Sequence, residues 1–333
     1  MSQLPSIEDK TGIGVYSLDS GRRLLDAVCN SLELTPGRIE ERTFEDGEHK
    51  IRPLESVRGR DVFVVQSLHG DESLSVNDRL IRTLFLIAAL GDAGAESVTA
   101  IAPYLCYARK DMRTRARDPV STRYVAQLLE SVGVDRVVTV DVHNRAAFQN
   151  AFRVNTEHLT AAPLFVDRIR DVVGSRKAAV VSPDAGGVKR AERFRQRLER
   201  RLERSVSSAY VEKFRSQGEV RGGRVVGDVD GRAVVIVDDL VSSGTTLARA
   251  ADGCRQSGAS EIIAVATHGV FSPGFAEVIA DSEIDRFVVA DTVDIKDAAV
   301  GLQGLDVVDV APLVADAIAR LHTNQSLGHL EGR

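Results

Sequence analysis

The chain has 333 residues, which suits two domains of about 150 residues better than one small core. Hydrophobic residues make up 43%, aromatics only 5%, and there is no Trp, so any core must be built mainly from Val, Leu, Ile and Ala. A net charge of -5 gives no support to general nucleic-acid binding, three widely spaced cysteines (Cys29, Cys106, Cys254) fit neither a disulfide framework nor a zinc knuckle, and no apolar run approaches the roughly 18 residues of a membrane span.

The polar, acidic start, MSQLPSIEDKTG, has no signal-peptide pattern, and the expectation is a soluble protein of the reducing cytoplasm. Along the chain, short β-branched runs alternate with helix-length segments. Strands are expected at 61–66 (DVFVVQ), 97–102 (SVTAIA), 136–140 (RVVTV), 178–181 (AAVV), 233–237 (AVVIV), 261–266 (EIIAVA) and 286–290 (RFVVA). Their near-continuous apolar character suits parallel strands covered on both faces. Helices are expected at 78–90, where Leu80, Leu84, Ile87 and Ala88 recur at helical spacing, and at 122–132 and 245–256. The alternation implies an α/β fold with mainly parallel sheets flanked by helices.

A boundary is expected near 150–157, giving domains at 1–152 and 153–310, then a C-terminal helix and a disordered tail within 311–333. Each half holds a strand that ends in carboxylate, VVTVDVH (137–143) and VVIVDD (234–239), which suggests a duplicated architecture. Residues 214–224 (FRSQGEVRGGR) carry three glycines and no apolar periodicity, so they read as a flexible loop after a strand around 209–211. Residues 189–204 hold eight basic and three acidic residues and read mostly as a solvated helix face.

The sharpest feature is VVIVDDLVSSGTTLARAA at 234–251. A buried strand runs into Asp238 and Asp239, then a short Ser/Gly/Thr loop, then a helix. Backbone amides of 242–246 and the positive end of the helix make an anion site. Ser242, Ser243, Thr245 and Thr246 add hydroxyl donors, and Gly244 allows close approach of a phosphate. The two carboxylates suit adjacent sugar hydroxyls. Phosphate beside a vicinal diol describes ribose 5-phosphate.

This string resembles the phosphoribosyl-pyrophosphate motif of type I phosphoribosyltransferases and phosphoribosyl-pyrophosphate synthetases. Further stretches resemble the synthetases in particular: 44–67, 75–90, 103–130, 137–144, 180–194 and THGVF at 267–271. The resemblance implies a ribose-phosphate diphosphokinase of two similar, type I phosphoribosyltransferase-like domains. It would transfer the diphosphate of Mg-ATP to C1 of ribose 5-phosphate, with Mg2+ as cofactor. On this resemblance, Phe44, Asp46 and Glu48 hold adenine, often across a subunit contact. Arg109, Lys110 and Asp111 bind the nucleotide, Lys110 standing where the family usually has Gln. His143 and Asp184 bind the metal, and Lys213 and Arg215, flanking Phe214, are the catalytic cations. Asp238, Asp239 and 242–246 hold the sugar phosphate. A homo-oligomer built from dimers, up to a hexamer, is also implied. Two alternatives stay open at this point, a phosphoribosyltransferase and a non-catalytic regulatory member of the same family. The latter is kept by the departures at Lys110, Phe214 and Gly269.

Independently of the resemblance, 109–123 gathers six basic residues (Arg109, Lys110, Arg113, Arg115, Arg117, Arg123) against Asp111 and Asp118. Such a concentration on an acidic protein suggests a polyphosphate site.

Overall fold

The computed structural model of the chain describes residues 4–7, 10–216, 219–295, 302 and 304–331, with side chains described outside 213–223. The chain forms two compact units, Met1–Thr160 with Val310–Arg333, and Ala161–Asp309. The C-terminal segment therefore belongs to the first unit and is not an appendage of the second.

The first unit runs β1 (Ile13–Tyr16), α1 (Arg22–Leu32), β2 (Ile39–Thr43), β3 (His49–Pro53), β4 (Asp61–Val65), α2 (Val76–Asp92), β5 (Ser97–Ala102), α3 (Ser121–Ser131), β6 (Arg136–Val140), α4 (Arg145–Ala151) and β7 (Asn155–Leu159). The second runs α5 (Ala162–Val173), β8 (Ala178–Ser182), α6 (Val188–Leu202), β9 (Ser207–Ser216), β10 (Glu219–Gly227), β11 (Ala233–Val241), α7 (Thr245–Gln256), β12 (Glu261–Gly269), α8 (Phe275–Ala280), β13 (Arg286–Ala290) and β14 (Leu305–Val308). The chain then returns to the first unit with α9 (Ala311–His322), which packs against α1.

The first sheet is wholly parallel, in the order β1-β4-β5-β6-β7. Strands β4 to β6 are buried apolar runs, and their crossovers are helical. Helix α2 begins with a capping box: Ser75 Oγ accepts from the Asp78 amide at 3.1 Å while the Asp78 carboxylate accepts from the Ser75 amide at 3.1 Å. Its apolar face, Leu80, Leu84, Ile87 and Leu90, closes the core with Val98, Val125 and Leu129. Each such side chain contributes roughly 1.5–3 kcal/mol by leaving water. The fully buried Arg79 of α2 is paired with Asp71 and hydrogen-bonded to His69, which ties the segment after β4 to the helix. Strands β2 and β3 form a separate antiparallel hairpin.

The second sheet follows β10-β9-β8-β11-β12-β13-β14, parallel apart from the β9–β10 pair. From β8 the chain moves outward to β9 and β10, then returns to the other side of β8 and proceeds β11 to β14. The order thus reverses between β8 and β11. In open α/β sheets such a reversal opens a crevice at the carboxyl ends of the two strands.

The structure departs from the sequence pattern in two places. The polar, glycine-bearing stretch 214–224 is not a loop in its described residues: its backbone continues β9 and forms β10, paired with a register shift between Val220 and Gly223. A ribbon at a sheet edge has no second face to bury and lacks the apolar alternation that marks a strand. The tail is not disordered over its described residues, 323–331, either. Leu327, Leu330 and Glu331 are buried, and the Thr160 amide donates to the Leu330 carbonyl at 2.9 Å.

Candidate functional site

In the second unit the reversal point carries the candidate sugar residues. Strand β11 continues through Asp238 and Asp239 to Val241, residues 242–244 turn, and α7 starts at Thr245. The first amides of α7 have no acceptor one turn back and, with the helix dipole, favour an anion. Gly244 adopts φ 77, and a Cβ there would lie 3.0 Å from Ile279 Cδ1 and 3.1 Å from the Phe275 ring. Both conformation and space therefore demand glycine. The ring beneath it belongs to an aromatic cluster in which Phe271 stacks on Phe275 at 4.2 Å and Phe275 meets Phe287 edge-on at 5.6 Å. The loop sits on a rigid apolar floor. Above it, Ser243 Oγ and Thr245 Oγ1 are 3.0 Å apart.

Arg190, in the first turn of α6, reaches across the reversal point. Its Nη1 donates to Asp238 Oδ1 at 2.9 Å and lies 2.9 Å from Asp239 Oδ1. Asp238 Oδ1 also accepts from the Asp239 amide at 2.8 Å. Burial, then the neighbouring charge of Asp239, push the Asp238 carboxyl up to about 7, with Arg190 opposing. One guanidinium thus holds two adjacent carboxylates that would otherwise repel. Sequence reasoning assigned Arg190 to a solvated helix face. The rest of α6 largely fits that reading: Arg195 pairs with Glu192 and Glu199 at 2.8 and 2.9 Å, and Arg201 with Asp167 at 2.7 Å. A signal for Arg190 existed, since it follows the SPDAGG turn by three residues and so starts the helix after β8.

Asp184, at the end of β8, caps that turn. Its Oδ1 accepts from the amides of Gly186 and Gly187 at 3.0 and 3.1 Å. Lys213 and Arg215 lie on β9, opposite Gly223 and Val220, and their side chains are outside the described residues. Residues two apart share one face of an extended strand.

The first unit offers three separate pieces. The tip of the β2–β3 hairpin is a tight turn in which the Phe44 amide donates to the Glu48 carbonyl at 2.8 Å and the Glu48 amide to Asp46 Oδ1 at 3.1 Å. Phe44 is 38% exposed, with the Arg42 guanidinium 4.9 Å from its ring centroid. The second piece is the connection from β5 to α3. Lys110 Nζ is 2.6 Å from Asp118 Oδ2, which also accepts from Thr114 Oγ1 at 2.7 Å and from the Thr114 and Arg115 amides at 3.1 and 3.0 Å. The Lys110 ammonium, then the Thr114 donors, hold the Asp118 carboxyl well below the usual range. Lys110 therefore closes the loop, and exposed positive charge is carried by Arg109, Arg113, Arg115, Arg117 and Arg123. The third piece is the end of β6. Asp141 adopts φ 39, His143 is exposed, and Asn144 caps α4 by accepting from the Ala147 amide at 3.1 Å. Asn144 Nδ2 also donates to Asp111 Oδ2 at 2.6 Å. That bond brings together Asp111 and the neighbour of His143, two stretches about 30 residues apart.

No group of three or more His, Cys, Asp or Glu among the described residues forms a metal cluster. Mg2+ is usually held by one or two carboxylates, waters and substrate phosphates rather than by an all-protein cage. A lone oriented carboxylate such as Asp184 fits an ion that arrives with a polyphosphate. The three cysteines are buried and unpaired, and burial pushes each thiol up to about 12, so none is a nucleophile.

A family model described as the N-terminal domain of ribose phosphate pyrophosphokinase matches residues 13–133, and one described as the phosphoribosyl synthetase-associated domain matches 203–331. The ribose-phosphate pyrophosphokinase of Hyphomonas neptunium is 38% identical, covering 96% of this chain and 99% of its own. That of Agrobacterium fabrum is 36% identical, covering 95% and 99%. The crystal structure of phosphoribosylpyrophosphate synthetase from Mycobacterium smegmatis matches with a TM-score of 0.85 at 34% identity, covering 94% of this chain and 100% of that one.

Proposed function

The chain belongs to the ribose-phosphate pyrophosphokinase family, and from that premise we propose how its residues divide the transfer of a diphosphate group from ATP to the C1 hydroxyl of ribose 5-phosphate. The observation that carries the sugar half is the reversal point of the second sheet, where an anion loop over Gly244 adjoins two carboxylates held by Arg190. The loop at 242–246 takes the 5-phosphate. Asp238 and Asp239 accept from the ring hydroxyls, and Arg190 keeps both carboxylates in place.

The nucleotide half falls to the first unit. Arg109 and the exposed arginines after it neutralise the triphosphate, Asp111 and Asn144 fix the β6 end, and Phe44, Asp46 and Glu48 take the adenine. Asp184 and His143 would hold Mg2+, which supplies charge neutralisation at the phosphates when bound. Lys110 acts through Asp118 as a loop organiser. Lys213 and Arg215 stabilise charge on the transferring group. Transfer of this kind depends on positioning and electrostatics, with no covalent enzyme intermediate. The C1 oxygen attacks the β-phosphorus and AMP leaves.

Whole-length relatives with the pyrophosphokinase name favour neither a phosphoribosyltransferase nor a non-catalytic subunit. Gly269 has a local cause: a Cβ there would lie 2.6 Å from the Phe271 ring. The buried free thiols support a reducing compartment such as the cytoplasm, and no helix of the described residues is long and apolar enough to cross a membrane. The exposed hairpin tip suits an adenine site completed by a second copy in a homo-oligomer. Mixing Phe44→Ala subunits with Lys213→Ala subunits should then restore activity above either alone, whereas simple averaging would leave each site within one chain. The reaction itself is tested by incubating the purified protein with Mg-ATP and ribose 5-phosphate. AMP and 5-phosphoribosyl-1-pyrophosphate should appear in equal amounts, and ADP as the nucleotide product would reject the reading.

A further inference from the structure

The end of β6 is held from the far end of the chain. Asp141, in the left-handed region at φ 39, donates its amide to the Leu159 carbonyl at 3.0 Å. Four residues on, Arg145 opens α4 and its Nη2 lies 3.2 Å from Glu331 Oε2. Residues 327–331 form a turn in which the Leu330 and Glu331 amides donate to the Leu327 carbonyl at 2.8 and 3.1 Å. The same turn accepts the Thr160 amide, just beyond β7, at 2.9 Å. His158 of β7 lies among Asp141, Arg145 and Glu331, and its Nδ1 is buried without a hydrogen-bond partner among the described residues.

Packing alone does not call for this arrangement. Leu327 and Leu330 are already buried in this turn, yet the chain also buries Glu331, which is only 8% exposed. A buried charge is unfavourable unless paired, and a well-packed apolar residue would serve stability equally well. Specific positioning of the partner is a better account. That partner, Arg145, is two residues from His143 and adjoins Asn144, which reaches Asp111.

We propose that Glu331 is a positioning residue for the nucleotide half of the reaction, acting through Arg145 on the 141–145 turn. This rests on the assignment of His143 and Asp111 to the nucleotide. Strained backbone persists where its surroundings over-determine it, and the tail supplies one side of that constraint. The chain's last turn thus sets the geometry of a strand end some 190 residues earlier.

The test compares Glu331→Gln with Arg145→Gln, which removes the other, more exposed partner. Nucleotide affinity is measured by calorimetric titration of the whole protein with Mg-ATP in the absence of ribose 5-phosphate, beside the two KM values and the melting midpoint. Each variant should weaken ATP about three- to tenfold, the range for contacts that couple to a site indirectly, and leave the KM of ribose 5-phosphate within about twofold. The double variant should be no worse than either single one. Unchanged ATP affinity in a folded variant, or equal losses for both substrates, overturns the proposal. His143→Ala shows which premise fell: if it weakens ATP while the Gln variants do not, only the tail's role is lost, and if it too is silent the nucleotide assignment falls with it.

Discussion

On the proposed assignment the two units face one problem, holding a phosphorylated ligand at the carboxyl edge of a mainly parallel sheet, and meet it by different means. In the second unit the strand order reverses between β8 and β11, and topology alone opens a crevice there. A short loop, a glycine with no room for a side chain and one arginine between two carboxylates furnish it. In the first unit the order β1-β4-β5-β6-β7 runs in one direction with no reversal. Its candidate groups come from a hairpin tip, a long arginine-bearing connection and the end of β6, the last two joined by the Asn144–Asp111 bond and the β6 end held further by the turn at 327–331. Where the fold supplies the crevice, most of the candidate sugar site is one continuous stretch, 238–246, and only Arg190 comes from elsewhere. Where it does not, the site is assembled from distant pieces that must be positioned individually.

The largest expected effect tests whether a third region, β9 and β10, belongs with the compact site. Lys213→Ala and Arg215→Ala should each lower kcat by about 10²–10³, the usual loss when a donor to transition-state charge is removed, with the melting midpoint unchanged. Parent-like turnover in either variant would remove that residue from the chemistry. Next comes the clamp. Arg190→Leu leaves Asp238 and Asp239 side by side without their shared cation. Hydrogen bonds to charged groups contribute about 1.5–3 kcal/mol, so the KM of ribose 5-phosphate should rise roughly tenfold to a hundredfold while that of ATP stays put. Equal rises in both would show that Arg190 supports the unit as a whole. On the first unit's side, Phe44→Ala should weaken ATP by about 1–3 kcal/mol if adenine stacks on the ring, without touching ribose 5-phosphate. Calorimetric titration with each ligand separates the two, and parent-like ATP affinity would take the hairpin tip out of the site.

The same contrast governs what the sequence disclosed. The strands at 97–102, 136–140 and 286–290 and the helix at 245–256 were legible to the residue, because buried parallel strands and an amphipathic helix leave patterns that only packing explains. The sugar loop was legible for a similar reason, since its strand, glycine and hydroxyls are consecutive. The β2–β3 hairpin was not, because its strands IEERT and HKIRP are at most half-buried and read as polar. Strand β10 escaped because Gly222 and Gly223 look like a loop until a partner strand absorbs them in a register shift. Arg190 was hidden among seven other basic residues, and it faces inward for reasons that lie on β11. The tail was hidden because two leucines in a polar string carry no periodicity. In each case the missing information was the partner, which a local pattern does not contain.

The smallest expected effect comes from the Asp238 carboxyl. In the folded protein it is pushed up to about 7 by burial and by Asp239, against about 3.9 in an unfolded chain. Below about pH 4 both states hold the proton and the group contributes nothing to the pH dependence. Between about pH 4 and 7 the unfolded state ionises while the folded state keeps its proton, so stability falls as pH rises, and above about 7 the loss levels off. An asparagine never ionises and escapes this loss, while its side-chain oxygen can still accept from the Asp239 amide. Arg190 keeps its contact with Asp239 and offsets part of the difference. Asp238→Asn should therefore match the parent near pH 4 and become more stable by about 1–2 kcal/mol at pH 8, or about 2–8 °C in melting midpoint for a protein of this size. The gain should come with weaker ribose 5-phosphate binding, as expected where a site holds charges that the fold alone would avoid. Melting curves at pH 4.5, 6, 7 and 8 decide the point. A difference that does not change with pH, or a variant less stable than the parent at pH 8, would mean that Asp238 is ionised throughout and that Arg190 compensates both carboxylates in full.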